Sequence, residues 1–179
     1  MFPERILAIV VLLILQPCVY ALPADTQQPI EIAAGKMTLD QTNSISTYSG
    51  RVVLSQGSIR IEAEKLTVYM RNKKLERLEA FGSETQQALF RQKLHNGEET
   101  QAQAGHIEYY TRDSRMVLTQ QARLQQGGNH IQSERIDYNT ASNSLMAGQS
   151  GQQDPTAQQK RVRIVIEPEN REATGQTQP

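Results

Sequence analysis

The chain has 179 residues, with 19 lysines and arginines against 19 aspartates and glutamates, a formal net charge of zero. With no basic excess to neutralise phosphates, nucleic-acid binding has no electrostatic basis. Tryptophan is absent, aromatics make up 5% and there is one cysteine, so a core has to come from Ile, Val, Leu and Ala, which favours strands.

The N-terminal stretch MFPERILAIVVLLILQPCVYALPAD sets Arg5 ahead of an apolar run at residues 6–15, then Pro17 and the small-residue pattern Val19-Tyr20-Ala21. This is the layout of a secretory signal peptide, residues 1–21, cleaved after Ala21. The run falls short of the ~20 apolar residues that cross a membrane. A retained N-terminal anchor is the alternative. Cys18 leaves with the peptide, and the mature chain then has no thiol chemistry. Residues 22–28 read as an extension, 29–167 as one β domain and 168–179 as a disordered tail.

Within the domain, glycine and polar clusters recur about every ten residues, and the runs between them alternate apolar and polar. The predicted strands are 30–39, 47–56, 58–69, 74–81, 87–94, 100–110, 115–120, 122–126, 129–138, 144–147 and 162–167. The long polar connection 82–105 contains one apolar run, Ala88-Leu89-Phe90, read as a hairpin covering part of the domain. Residues 149–160 read as a flexible loop.

One six-residue grammar recurs: Ala34-Gly35-Lys36-Met37-Thr38-Leu39, Ala63-Glu64-Lys65-Leu66-Thr67-Val68, Ala104-Gly105-His106-Ile107-Glu108-Tyr109 and Ser133-Glu134-Arg135-Ile136-Asp137-Tyr138. The first two copies are 29 residues apart, as are the last two. A second element, Gly50-Arg51-Val52-Val53-Leu54-Ser55-Gln56-Gly57, returns at residues 121–127. The chain is a degenerate duplication of a strand, hairpin, strand unit.

In each copy of the first element the apolar residues change parity, from Ile59, Ile61 and Ala63 to Leu66 and Val68, for example. Side chains alternate strictly along a strand, so this requires a bulge or sharp bend. Strands that turn a corner from one sheet into another need that device to keep their apolar face inward. The fold class is all-β, a twisted antiparallel two-sheet β-jellyroll or roll with open ends.

Chemistry is hard to find. His95, His106 and His130 are isolated and share no metal-ligand spacing. His106 holds the slot filled by Lys36, Lys65 and Arg135 elsewhere and reads as an exposed corner residue. Glu62, Glu64, Glu108, Glu134 and Asp137 fall on polar strand positions and read as a solvated face. No catalytic residue, metal or cofactor is expected, and the chain does not read as an enzyme.

The apolar stripe has two readings, a closed core or two sheets that meet incompletely and leave a trough for alkyl chains. The edges say more. The first strand, with Ile30 and Ile32, and the last, with Val162, Ile164 and Ile166, are bounded by Pro29 and Pro168, residues suited to strand ends and edges. Unpaired terminal strands offer backbone donors and acceptors to another molecule. Joining one end to another's beginning makes a contact that propagates.

Gln28 to Ile32, Tyr48 to Gly57, Ile61 to Leu66 and the echo from Ala122 through Tyr138 resemble, in order and spacing, the periplasmic lipopolysaccharide-transport protein A family with its OstA-like jellyroll. The resemblance covers residues 28–168. It implies a soluble periplasmic carrier that binds lipid A acyl chains and stacks head to tail. Such a carrier joins an inner-membrane complex, which includes a membrane-anchored partner of the same fold, to an outer-membrane translocon.

By position, the resemblance puts the groove entrance at Ile30 and Ile32 and deeper lining at Phe90 and Tyr109. The parity argument adds Met37, Leu39, Val52, Leu54, Ile59, Ile61, Leu66, Val68, Ile107, Leu124, Ile136 and Tyr138. Thr111, where an apolar residue would extend the lining, and Ala34-Gly35, in place of a more acidic pair, depart from the family pattern. Three alternatives stay open: the same-fold inner-membrane partner, a β-scaffold that polymerises by its edges without lipid, and an enzyme acting on envelope lipids.

Overall fold

In the computed structural model, the described residues are 25–94, 97–148 and 161–166. The expected signal peptide with Cys18, His95, the expected loop at 149–160, Glu167 and the expected tail at 168–179 lie outside them. Twelve strands carry the fold: β1 (Glu31–Ala33), β2 (Lys36–Asp40), β3 (Ile45–Gln56), β4 (Ile59–Arg71), β5 (Lys74–Phe81), β6 (Ala88–Lys93), β7 (Glu99–Ala104), β8 (His106–Tyr110), β9 (Arg115–Gln126), β10 (Asn129–Asn139), β11 (Ser144–Gly148) and β12 (Arg163–Val165). Among the described residues the only helical turn is a 3-10 turn, Asp25–Gln27.

All pairings are antiparallel, and they sort into two layers. One layer runs β2-β3-β4-β5-β8-β9-β10-β11. The other runs β1-β3-β4-β6-β7-β9-β10-β12. The long strands β3, β4, β9 and β10 belong to both, bending from one layer into the other along a shared corner.

That corner is where the parity argument placed it. Ser49 faces Lys65 and Val52 faces Ala63, so Gly50 and Arg51 stand against Glu64 alone. Thr119 faces Arg135 and Ala122 faces Ser133, so Gln120 and Gln121 stand against Glu134 alone. Two residues opposing one is a β-bulge, which bends and twists the pair. The extra residue is on β3 and β9, which keep their parity, while β4 and β10 change theirs.

Gly50, Arg51, Gln120 and Gln121 all have positive φ, from +48° to +82°, which costs about 1–3 kcal/mol per non-glycine residue. Hydrogen bonds offset it. The Gly105 N–H donates to Gln120 O at 2.9 Å and the Gly35 N–H to Gly50 O at 3.0 Å. Gln87 Nε2 donates to the carbonyls of Gln120 and Gln121 at 3.2 and 3.1 Å. At residue 105 an added Cβ would lie 2.8 Å from the Cβ of Gln120, an atom that cannot swing away, so the close approach favours glycine.

The other two copies of the corner element break the strand instead of bulging it. The predicted strand 30–39 is two strands, β1 and β2, separated at Ala34-Gly35, and 100–110 is β7 and β8, separated at Gly105. Conversely, 115–120 and 122–126 are one strand, β9, because the bulge at Gln120-Gln121 keeps the ladder with β10 running on either side of it. The run at residues 88–90 does not cover the domain from outside. It belongs to β6, which pairs with β4 and β7 inside the second layer, and Ala88 and Phe90 are fully buried.

The corner also corrects the reading of His106. Its register partner is Phe81, and the two rings stack at 4.3 Å and 6°, with Lys65 Nζ 4.4 Å from the Phe81 centroid. The imidazole is thereby mostly covered. Glu108 and Asp137 are likewise half-buried and partnered. Tyr110 donates its hydroxyl hydrogen to Glu108, and Asp137 accepts from Arg115 and Arg135.

The N-terminal extension is tied to the tip of the β3–β4 hairpin. Asp25 accepts from the Ser58 N–H at 2.7 Å, the Ser58 hydroxyl at 2.8 Å and Gln92 Nε2 at 2.9 Å. Gln56 Nε2 donates to Gln28 O.

Candidate functional site, the apolar inner face

Register places the apolar side chains in rows that cross every strand of a layer. In the first layer one row runs Met37, Tyr48, Leu66, Ala80, Ile107, Leu118, Ile136, Ala147. The next runs Leu39, Ser46, Val68, Leu78, Tyr109, Met116, Tyr138, Leu145. In the second layer the matching row is Ile32, Leu54, Ile61, Phe90, Ala102, Leu124, Ile131, Ile164. Directly paired residues share a face, so each row is one strip of the inner wall.

Twelve of the predicted groove residues, Val52, Leu54, Ile59, Ile61, Leu66, Val68, Phe90, Ile107, Tyr109, Leu124, Ile136 and Tyr138, belong to a single buried cluster. Ile32 packs against it half-buried, whereas Ile30, Met37 and Leu39 are exposed. Through the middle of the molecule the layers touch. Phe90 from one and Tyr109 from the other lie 6.1 Å apart. The middle is therefore filled by the protein's own side chains, and the trough expected along its whole length is replaced there by a packed core.

Toward the C-terminal edge the wall opens. A cavity of about 370 Å³ is lined by Leu124, Ile131, Tyr138 and Leu145, with Glu98, Gln126, Asn129 and Asn143 around it. Tyr138 donates its hydroxyl hydrogen to Asn143 Oδ1 at 2.8 Å. Burial pushes the phenol pKa of Tyr109 and of Tyr138 upward, so both remain neutral over the physiological range.

Sequence reasoning missed several wall residues, among them Leu78, Met116, Leu118, Ile131 and Leu145, although the alternation of Met116 with Leu118 carried the signal. The sequence singled out Thr111 as a polar residue where an apolar one would extend the lining. Thr111 follows β8 in a turn and its hydroxyl donates to the carbonyls of Leu75 and Glu76, which accounts for a polar residue there. The edge-strand residues Val162, Ile164 and Ile166 are all exposed, and β12 is hydrogen-bonded to β10. Among the described residues, no group of three or more His, Cys, Asp or Glu could hold a metal ion.

Residues 31–144 match the family described as LptA/(LptD N-terminal domain) LPS transport protein. The lipopolysaccharide export system protein LptH of Pseudomonas aeruginosa is 32% identical over 152 residues, covering 84% of this chain and 86% of its own. The export protein LptA of Haemophilus influenzae is 30% identical over 151 residues, covering 83% and 86%. LptA of Escherichia coli K12 is 31% identical over 121 residues, covering 66% and 64%. The crystal structure of P. aeruginosa LptH, described as the LptA-homologous periplasmic component of its lipopolysaccharide transport device, matches with a TM-score of 0.72 at 29% identity, over 82% of this chain and all of that one.

Proposed function

The chain belongs to the LptA/(LptD N-terminal domain) family of LPS transport proteins, and we propose that it carries lipopolysaccharide across the periplasm by its inner face, in head-to-tail assemblies. It is a lipopolysaccharide transport protein, like its LptA and LptH relatives. Its partners in this reading are lipid A acyl chains, an inner-membrane transport complex and an outer-membrane translocon.

One observation carries the mechanism: three rows, apolar at every position but Ser46, run from one edge of the fold to the other, buried in the middle, with Met37 and Leu39 exposed at one end and Leu145 and Ile164 at the other. At ~0.8 kcal/mol per methylene, a 14-carbon acyl chain costs on the order of 10 kcal/mol to leave in water. A multi-chain lipid needs apolar cover at every step of an aqueous crossing. A continuous wall lets acyl chains slide without full exposure while the saccharide stays in water. Since the layers touch at Phe90 and Tyr109, a passing chain has to part them, replacing protein contacts with lipid contacts of the same kind. No step requires a nucleophile, a metal or a proton transfer from this chain.

The packed middle favours a second reading, a scaffold that polymerises without lipid. Photocrosslinking separates the two. A photoreactive side chain at Phe90 or Tyr109 in living cells should capture lipopolysaccharide, and one at an outward position such as Ser55 should not. Capture at neither inner position would leave the scaffold.

A further inference from the structure

The placements of β1–β6 recur in β7–β12. β1 and β7 pair with β3 and β9 in the second layer, and β2 and β8 pair with the same two strands in the first. β5 and β11 follow β4 and β10 in the first layer, and β6 and β12 follow them in the second. The repeat is thus a six-strand unit crossing both layers, and register gives the residues around one corner bulge their counterparts at the other. Val52 faces Ala63 beside the first bulge and Ala122 faces Ser133 beside the second, so Val53 corresponds to Arg123, Glu62 to Gln132 and Glu64 to Glu134. Glu62 faces Leu89 and Gln132 faces Arg163, so Leu89 corresponds to Arg163 and, two residues earlier, Gln87 to Arg161.

Each corner holds a cavity built from these counterparts. The first, of about 180 Å³, is lined by Val53, Glu62, Glu64, Gln87 and Arg51 among others. The second, of about 450 Å³, is lined by Arg123, Gln132, Glu134, Arg161 and Arg163 among others. The place in the fold is the same, and the chemistry is not. Among the described residues the first lining has one arginine and two glutamates, and Glu62 is ion-paired with Arg60 at 2.9 Å. The second has three arginines and one glutamate, and the carboxylate of Glu62 has become the amide of Gln132.

Arg123 and Arg163 face Gln132 from either side, so their Cα atoms stand two strand spacings, about 10 Å, apart and their side chains share a face. Arg161 lines the same cavity. None of the three arginines has an ion-pair partner among the described residues, and Glu134 has an interaction of its own. A merely solvated strand face interleaves its charges, as the first unit does with Arg60–Glu62 and Arg91–Glu99. Three unpaired guanidinium groups around one cavity repel each other until a group with several anionic oxygens sits between them. The planar fork of arginine offers two parallel N–H donors that match phosphate oxygens. Gln132 between two of the arginines, and Gln103 on the far side of Arg123, add neutral amide donors.

We infer that the second corner binds a phosphate-type anion, a phosphomonoester or a pyrophosphate, through Arg123, Arg161 and Arg163. None of the three belongs to the apolar rows, so this site stands apart from the acyl wall and does not rest on the transport reading. The first corner, with the same bulge and no such arginines, is its internal control.

Titration calorimetry of the mature chain with sodium pyrophosphate at constant ionic strength should show one saturable site. Arg123→Gln combined with Arg163→Gln should weaken it at least tenfold, whereas Arg51→Gln at the first corner should leave it within a factor of two. Gln132→Glu, which restores the first unit's carboxylate between the two arginines, should weaken binding as strongly and raise the melting temperature of the anion-free chain, a gain that an unfolded variant would not show. Lipopolysaccharide titrated before and after phosphatase treatment identifies the source of the anion. A preference of tenfold or more for the untreated sample, absent in the double variant, places the phosphate on lipopolysaccharide. Equal binding of the two samples, with the pyrophosphate site present, makes the ligand a free phosphate. Absence of both pyrophosphate binding and phosphate-dependent lipopolysaccharide binding overturns the inference, as does pyrophosphate binding that survives in the double variant or falls equally in Arg51→Gln.

Discussion

Phe90 and Tyr109, from opposite layers, meet with ring centroids 6.1 Å apart and planes tilted by 35°. They are one point at which the two walls touch, and their register partners Ile61, Ala102, Leu78 and Met116 are themselves core residues. In the proposed transport, the contact that helps hold the two layers together is also one that a passing acyl chain would displace.

Phe90→Ala tests the first half of that statement. The side chain is 0% exposed, and truncating a buried phenylalanine costs about 3–5 kcal/mol, from lost transfer energy and the cavity left behind. The urea midpoint should fall accordingly with the slope unchanged. A loss under about 1 kcal/mol would mean that the layers are not held together there.

Ile32→Glu tests the second half. Ile32 faces Leu54 in the second-layer row, so a carboxylate there would be desolvated against any acyl chain on the wall. Lipopolysaccharide binding by the mature chain should weaken tenfold or more, about 1.4 kcal/mol. Ser55→Glu, on the opposite face of the neighbouring strand, should leave binding within a factor of two. Equal effects from the two would place the lipid elsewhere.

Much of this wall was legible in the sequence, because period-two alternation with a parity change has few physical solutions. Ile59, Ile61 and Ala63 against Leu66 and Val68 located the corner to within a residue. Three things were hidden for definite reasons. The bulge residues Gly50-Arg51 and Gln120-Gln121 leave the parity of their own strands unchanged, so alternation does not mark them, and the polar run Thr119-Gln120-Gln121 read as a break in β9. Ala34-Gly35 and Gly105 look like the continuous copies of the same motif yet break the backbone. Whether the walls touch depends on how Phe90 and Tyr109 meet across the interior, which alternation along a strand does not encode.

Alkali should loosen the fold. Burial raises the phenol pKa of Tyr109 and Tyr138 above the ordinary value near 10, and the hydrogen bond to Glu108, with burial, raises that of Tyr110. Above pH 10 the unfolded chain therefore releases protons that the folded chain still holds. Stability is fully present below that pH and declines as pH climbs through the raised folded values. Urea midpoints at pH 8, 10 and 11 should be level and then drop. Tyr109→Phe, which removes one of these protons, should drop less between pH 10 and 11 than the unsubstituted chain. An equal fall in both would assign the loss to other groups.

Metal chelation should leave lipopolysaccharide binding and the melting temperature unchanged. Among the described residues, no group of three or more His, Cys, Asp or Glu could ligate a metal, and the carboxylates of Glu108 and Asp137 are engaged by Tyr110, Arg115 and Arg135. A chelator that abolished binding would reopen an enzymatic or metal-dependent reading.

Removing the chain from Val162 onward should separate assembly from folding. The three residues of β12 are all exposed and pair only with residues 130–132 of β10, so their loss removes few apolar contacts and should cost no more than about 1 kcal/mol, in the range of surface changes. In the proposed head-to-tail assembly, however, the C-terminal edge would lose one of its two strands. The other, β11, would remain, with Leu145 and Ala147 still on the inner wall. Self-association should therefore weaken at least tenfold without vanishing, and sedimentation at graded concentrations will show whether it does. Assemblies as tight as those of the intact chain would mean that β12 plays no part in them. Complete loss, with the fold intact, would mean that β11 by itself cannot hold the copies together.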